Sequence, residues 1–177
     1  MTRTFLTRPT SRRLAMALLC LTPLAVVPSG CKLFRRTPMQ STVHTRDPRT
    51  AGQLVDGFYG IEAAAWRWTA KHFAVKLKTP AGAAQKGGTL RFVFSITDVM
   101  IQKSGPITLS AKIGATDLAP ETYSAPGSYA YQRDVPAAEL GKSDVTVAFA
   151  VDKSMVPGGP DLRELGVVAT TIALESK

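Results

Sequence analysis

Residues 57–78, GFYGIEAAAWRWTAKHFAVKLK, carry both tryptophans of the 177-residue chain, two of its seven phenylalanines and one of its four tyrosines. Phe73, Val75 and Leu77 alternate with His72, Ala74, Lys76 and Lys78. One face is apolar and the other polar, the period of a half-buried β-strand. Trp66-Arg67-Trp68-Thr69 alternates in the opposite phase if its indoles face inward, and a tight turn near Ala70-Lys71 reconciles the two runs. In that arrangement Trp68 joins the core, and its truncation to alanine costs about 3–5 kcal/mol. Trp66 is less enclosed. Gly57–Ala65 has a weak 3.6-residue period that its glycines dilute.

The segments beyond this stretch read as further strands. Leu90–Ile96, Ile107–Ile113, Tyr129–Val135 and Val145–Val151 each alternate apolar with polar residues, and Leu165–Glu175 is rich in β-branched side chains. Turn signals separate them: Pro80-Ala81-Gly82, Gly87-Gly88, Gly105-Pro106, Pro126-Gly127, Gly141 and Pro157-Gly158-Gly159-Pro160. Ala137–Leu140 has room for one helical turn. Seven or eight short strands between Gly/Pro turns specify an all-β, antiparallel β-sandwich, jelly-roll-like, over residues 56–177.

The net charge of +9 is unevenly spread. Arg3, Arg8, Arg12 and Arg13 give residues 1–30 a charge of +4. Lys32, Arg35, Arg36, Arg46 and Arg49 against Asp47 give residues 31–50 another +4, leaving +1 for residues 51–177. A nearly neutral domain lacks the basic face of a nucleic-acid binder. Residues 32–55 show no periodicity and read as a flexible, basic, solvated linker.

Residues 1–13 form a basic n-region, and Leu14–Val27 an apolar h-region too short to span a bilayer comfortably. Pro28-Ser29-Gly30-Cys31 follows and resembles a bacterial lipobox, although Pro28 stands where that family prefers an aliphatic residue. The resemblance implies a signal peptide over residues 1–30, acylation of Cys31 and a mature chain held on a membrane of the bacterial envelope, facing the periplasm or the exterior. The cysteine count agrees. Cys20 leaves with the signal, and Cys31 then has no partner in the chain. A plain cleavable signal ending near Ser29 or Gly30 is the alternative. Ser11-Arg12-Arg13 leaves the export route open between the general and the twin-arginine pathways.

Little in the sequence supports catalysis. After signal removal the histidines are His44 and His72, and the thirteen carboxylates are scattered singly. No metal-ligand spacing, phosphate loop or nucleophile motif occurs, so no cofactor is expected. Trp66 and Trp68 allow two readings, core packing or a platform for the apolar face of a sugar ring. Tyr123, Tyr129 and Tyr131 are further platform candidates, though half-buried sheet positions describe them better. Glu62 and Arg67 read as an ion pair pinning the N-terminal segment, with Arg163 able to join either, or a ligand. Two segments, Gly57-Phe58-Tyr59…Glu62…Arg67-Trp68-Thr69 and Asp161–Val167, together resemble small jelly-roll modules, carbohydrate-binding-like in shape, of bacterial envelope and glycan-associated proteins. That resemblance implies a non-catalytic binding module, with Tyr59, Glu62, Trp66, Arg67, Trp68 and Arg163 as candidate ligand or structural residues and a glycan or an envelope protein as partner. The alternative is a structural or protein-interaction lipoprotein with no small ligand.

Overall fold

The computed structural model describes residues 37–158 and 161–177. The signal segment and Cys31 lie outside the described residues.

Nine strands are joined by antiparallel pairing throughout: β1 (Thr42–His44), β2 (Leu54–Glu62), β3 (Trp66–Lys78), β4 (Gly88–Ile96), β5 (Ile107–Ile113), β6 (Thr116–Tyr123), β7 (Gly127–Val135), β8 (Asp144–Val151) and β9 (Val168–Ser176). Their order is β6-β5-β8-β3-β9-β4-β7, with β1 beside β9 and β2 beside β3. β3 belongs to both layers of a sandwich. On one of its edges Arg67 and Trp68 pair with β9, and His72–Lys78 pair with β8. The sheet folds over at this change of partner. Phe73 and Phe149 of one layer then meet Phe92 of the other at 5.6 and 5.0 Å between ring centroids. From β3 to β9 the chain alternates between layers, except at the β5–β6 hairpin, which is the jelly-roll pattern.

The inward positions are those the alternation marks: Phe73, Val75 and Leu77; Leu90, Phe92 and Phe94; Val147, Phe149 and Val151; Ile172 and Leu174. Two short α-helices add to the sandwich, α1 (Ala83–Lys86) and α2 (Asp98–Ser104). The Thr97 hydroxyl caps α2 by accepting the Met100 N–H at 3.3 Å, and Met100 is buried. A single 3-10 turn, Ala137–Leu140, forms where one helical turn was expected and buries Leu140. The outer strands β6 and β7 meet without a ladder. Instead the Tyr131 hydroxyl and Arg133 Nε both donate to the Ala119 carbonyl, at 2.8 and 2.7 Å, which satisfies a strand edge that would otherwise invite aggregation.

Two sequence expectations need correction. β3 runs unbroken through Ala70-Lys71, so no turn stands there. Its parity is continuous: Thr69, Phe73, Val75 and Leu77 are buried on one side, while Trp66, Trp68, His72 and Lys76 lie on the other. The irregularity falls on pairing with β2, where Asp56 opposes Ala74 but Phe58 opposes Thr69. Gly57 sits at this bulge with φ +68°, and a Cβ there would collide with the His72 carbonyl. The weak 3.6-residue period of this segment forms no helix, and β2 continues through Glu62. Finally, the solvated linker does not extend to residue 55. Val43 is fully buried between its β9 pairings, Thr45 donates its N–H to the Thr170 carbonyl, and Pro48–Gln53 form a 3-10 turn whose Gln53 amide bonds the carbonyls of Gln40 and Lys76.

Candidate functional site

The β2–β3 hairpin closes through Ala63-Ala64, both in the left-handed region with φ 48° and 53°, and the Ala65 N–H donates to the Glu62 carbonyl at 3.0 Å. Such a turn usually carries Asn-Gly, because a Cβ at positive φ costs about 1–2 kcal/mol per residue. Register sets the faces behind the turn. Trp66 opposes Glu62, Arg67 opposes Ile61, and Phe58 opposes Thr69. Directly opposed residues share a face. Phe58 packs edge-on to Phe73 at 5.4 Å, so Thr69 and Arg67 lie on the inner side, and Trp66, Trp68 and Glu62 on the outer side.

Both indoles are half-buried and neither packs against the hydrophobic core. This corrects the expectation that Trp68 fills it. Trp68 opposes Val168 on β9, on the side away from the fully buried Ala169. The core is instead a run of Phe58, Phe73, Phe149, Phe92, Phe94 and Tyr123. Tyr123 and Tyr131 are buried and offer no platform. The Tyr123 hydroxyl has no hydrogen-bond partner among the described residues, and burial pushes its pKa up.

The expected Glu62–Arg67 pair does not form, because adjacent register positions point their side chains to opposite faces. Arg67 bonds two backbone carbonyls, Nε to Thr45 and Nη1 to Tyr59, each at 2.7 Å. Glu62 pairs with Arg163, Oε1 to Nη1 at 2.7 Å. Arg163 belongs to the β8–β9 connection, an arm narrowed by the bridges Met155–Leu165 and Gly158–Asp161. Its guanidinium also grips Asp161 through Nε and Nη2, at 3.0 and 2.8 Å, and lies over the Tyr59 ring at 5.2 Å. The Tyr59 hydroxyl donates to the Glu164 carbonyl at 2.8 Å, and Ser154 donates to Glu164 Oε1 at 2.7 Å. The side-chain hydrogen bonds from Arg163, followed by its backbone N–H, pull Asp161 down to about 2. Gly166 lets the arm return, since a Cβ there would stand 2.5 Å from the Ala70 carbonyl.

Five of the six candidates thus gather at the hairpin: Tyr59, Glu62 and Arg163 in one bonded network, with Trp66 across from Glu62 and Trp68 two residues along the same face. Arg67 braces them from the inner side. Asp161, Ser154 and Glu164 were missed as members of the group. The signal for Asp161 was its spacing of two from Arg163, which allows the side chain to accept the Arg163 N–H at 3.0 Å. The chain enters the domain at the far end of β9, where the Gln40 carbonyl accepts the Lys78 N–H and the Ser41 carbonyl accepts the Leu174 N–H. From Leu174 to Val168 is roughly 20 Å of strand.

A separate groove of about 390 Å³ crosses the outer face of β3, β8 and β5. Small residues, Ala74, Ala148, Ala150 and Ser110, line it beside His72 and Lys112. Among the described residues no three His, Cys, Asp or Glu side chains converge to hold a metal ion, and no helix is long and apolar enough to cross a membrane.

No protein-family model matches the sequence, and no curated protein matches it either. The chain is similar to solved structures of carbohydrate-binding modules. One is TmCBM27, described by its specific mannan recognition, at 10% identity over 79% of this chain and 98% of that one, with a TM-score of 0.45. Another is a CBM36 module in complex with calcium and xylotriose, at 9% identity over 76% of this chain and 98% of that one, with a TM-score of 0.42. A ruminal GH26 endo-β-1,4-mannanase is similar at 12% identity over 77% of this chain and 25% of that one, with a TM-score of 0.39.

Proposed function

We propose that this is a non-catalytic glycan-binding module, tethered by an acylated Cys31 to a membrane of the bacterial envelope. Trp66 and Trp68 form the stacking platform, and the Glu62–Arg163 pair supplies polar contacts at its edge. The observation that supports the reading is that both indoles stand partly exposed on the outer face of β3, away from the core. An indole face covers the apolar face of a pyranose, while neighbouring hydrogen-bonding groups fix its orientation. The test is retention of the full chain on a panel of insoluble polysaccharides. Wild type is expected to be retained by at least one, and Trp66→Ala/Trp68→Ala by none while still folded. Retention unchanged in the folded double variant rejects the platform. For the anchor, Cys31→Ser is expected to move the protein from the membrane to the soluble fraction. A wild type that is already soluble and carries no lipid by mass spectrometry rejects it.

A protein-interaction role is the second reading, favoured by Val156 and Leu162. They stand 79% and 81% exposed on the same arm that Arg163 pins, and exposed aliphatic residues on a braced segment suit a protein surface better than a sugar. Val156→Ser/Leu162→Ser leaves polysaccharide retention intact under the glycan reading.

A further inference from the structure

Resting on the glycan reading, we infer that the site takes an uncharged glycan and excludes polyuronates. The charges around Tyr59 decide this. Three charged side chains are bound to one another beside it: Arg163 to Glu62 and to Asp161. Two are acids and one is a base. Arg67 lies on the inner side and spends Nε and Nη1 on backbone carbonyls. Arg163, the cation on the platform side, is about one-third exposed and already faces two carboxylates. Asp161, held near 2, stays ionised at any working pH. A further carboxylate brought to Trp66 therefore meets a net negative neighbourhood, which opposes binding. A hydroxyl meets good partners instead. Only Oε1 of Glu62 accepts from Arg163, leaving Oε2 as an acceptor across the strand pair from Trp66. The spare N–H groups of Arg163 donate without surrendering either ion pair.

Affinity electrophoresis of the full chain tests this, with hydroxyethylcellulose, galactomannan and glycogen as neutral probes and polygalacturonate and alginate as anionic ones. The expected result is retardation by at least one neutral polymer, insensitive to salt, with no site-dependent retardation by either polyuronate. The basic residues Arg35, Arg36, Arg46 and Arg49 also attract polyanions, so retardation counts for the site only if Trp66→Ala/Trp68→Ala removes it. Polyuronate retardation that survives in that variant belongs to the basic segment and agrees with the inference. Polyuronate retardation that the variant abolishes overturns the inference and leaves the glycan reading standing. Retardation by none of the five polymers overturns both. Glu62→Gln keeps a hydrogen-bonding side chain while removing one negative charge, and is expected to raise site-dependent polyuronate affinity about fivefold to tenfold at low salt. Glu62→Gln/Asp161→Asn leaves Arg163 facing no carboxylate and is expected to raise it further. No gain in either folded variant means that charge is not the discriminator, and the inference fails.

Discussion

The two faces of β3 are built from similar materials and do opposite work. Its inner face carries Thr69, Phe73, Val75 and Leu77, all buried. Its outer face carries Trp66 and Trp68, the largest side chains on the strand, and both remain partly exposed. Size and apolarity therefore do not decide which aromatic enters the core. Strand parity does, because alternation is fixed once one residue is committed, and a one-residue slip would expel Phe73, Val75 and Leu77 together. Beside the outer face the arm is tied through Arg163 to Glu62 of β2, whereas the inner face is held by packing in the hydrophobic core.

The largest expected effects are on the inner face. Phe73 touches Phe58, Phe92 and Phe149, and Phe73→Ala is expected to cost about 3–5 kcal/mol, read as a large fall in urea midpoint. Gly57→Ala belongs with it, since the new methyl meets the backbone at His72 and Phe73 and requires φ +68°. Its cost is expected to exceed the roughly 1–2 kcal/mol of the left-handed conformation alone. A Gly57→Ala protein with an unchanged midpoint would show that β2 does not approach β3 this closely at Gly57.

Trp68→Ala should cost less, about 2 kcal/mol for a large side chain that is only partly buried and lies outside the core, while polysaccharide retention is lost. If Trp68→Ala and Phe73→Ala shift the urea midpoint equally, the two faces are not distinct and the platform is a structural plug.

The strand alternation was legible in the sequence, and with it the sandwich. Leu90–Ile96, Ile107–Ile113 and Val145–Val151 became strands because one side of each had to be buried. β1 escaped notice since three residues with a single inward Val43 make no periodic signal. β6 escaped because Asp117, Pro120 and Glu121 give it the composition of a loop, and as an outermost strand it tolerates Pro. The tryptophans were misplaced for a different reason. Their parity with His72 and Lys76 was visible, and the turn at Ala70-Lys71 was needed only if large aromatics must point inward. The Glu62–Arg163 partnership spans 101 residues, and no local pattern could announce it.

A gentler perturbation separates the faces by pH. The folded carboxyl of Asp161 sits near 2 against an ordinary 3.8. Its contribution is therefore fully present above about pH 4 and is lost as pH falls through about 2. The polar arm should loosen over that window before the apolar core does, giving an inflection in tryptophan fluorescence from Trp66. Asp161→Asn should remove the inflection. An inflection that persists in that variant assigns the transition to another carboxylate.

The smallest expected effect lies at the hairpin tip. Ala63 and Ala64 both hold positive φ without the freedom of glycine. Ala64→Gly relieves about 1–2 kcal/mol of left-handed strain and gives back roughly 0.5–1 kcal/mol through the greater freedom of the unfolded chain. The balance is a gain of about 0.5–1 kcal/mol, visible as a small rise in urea midpoint. The turn orients Glu62 and Trp66 across from each other, so polysaccharide affinity reports separately on what the strain does. Stability that rises with affinity unchanged makes the strain incidental. If stability rises while affinity falls, the stiffness of two alanines is what holds the carboxylate and the indole in register. A fall in stability would show that the backbone at Ala64 is not left-handed and that the hairpin closes differently.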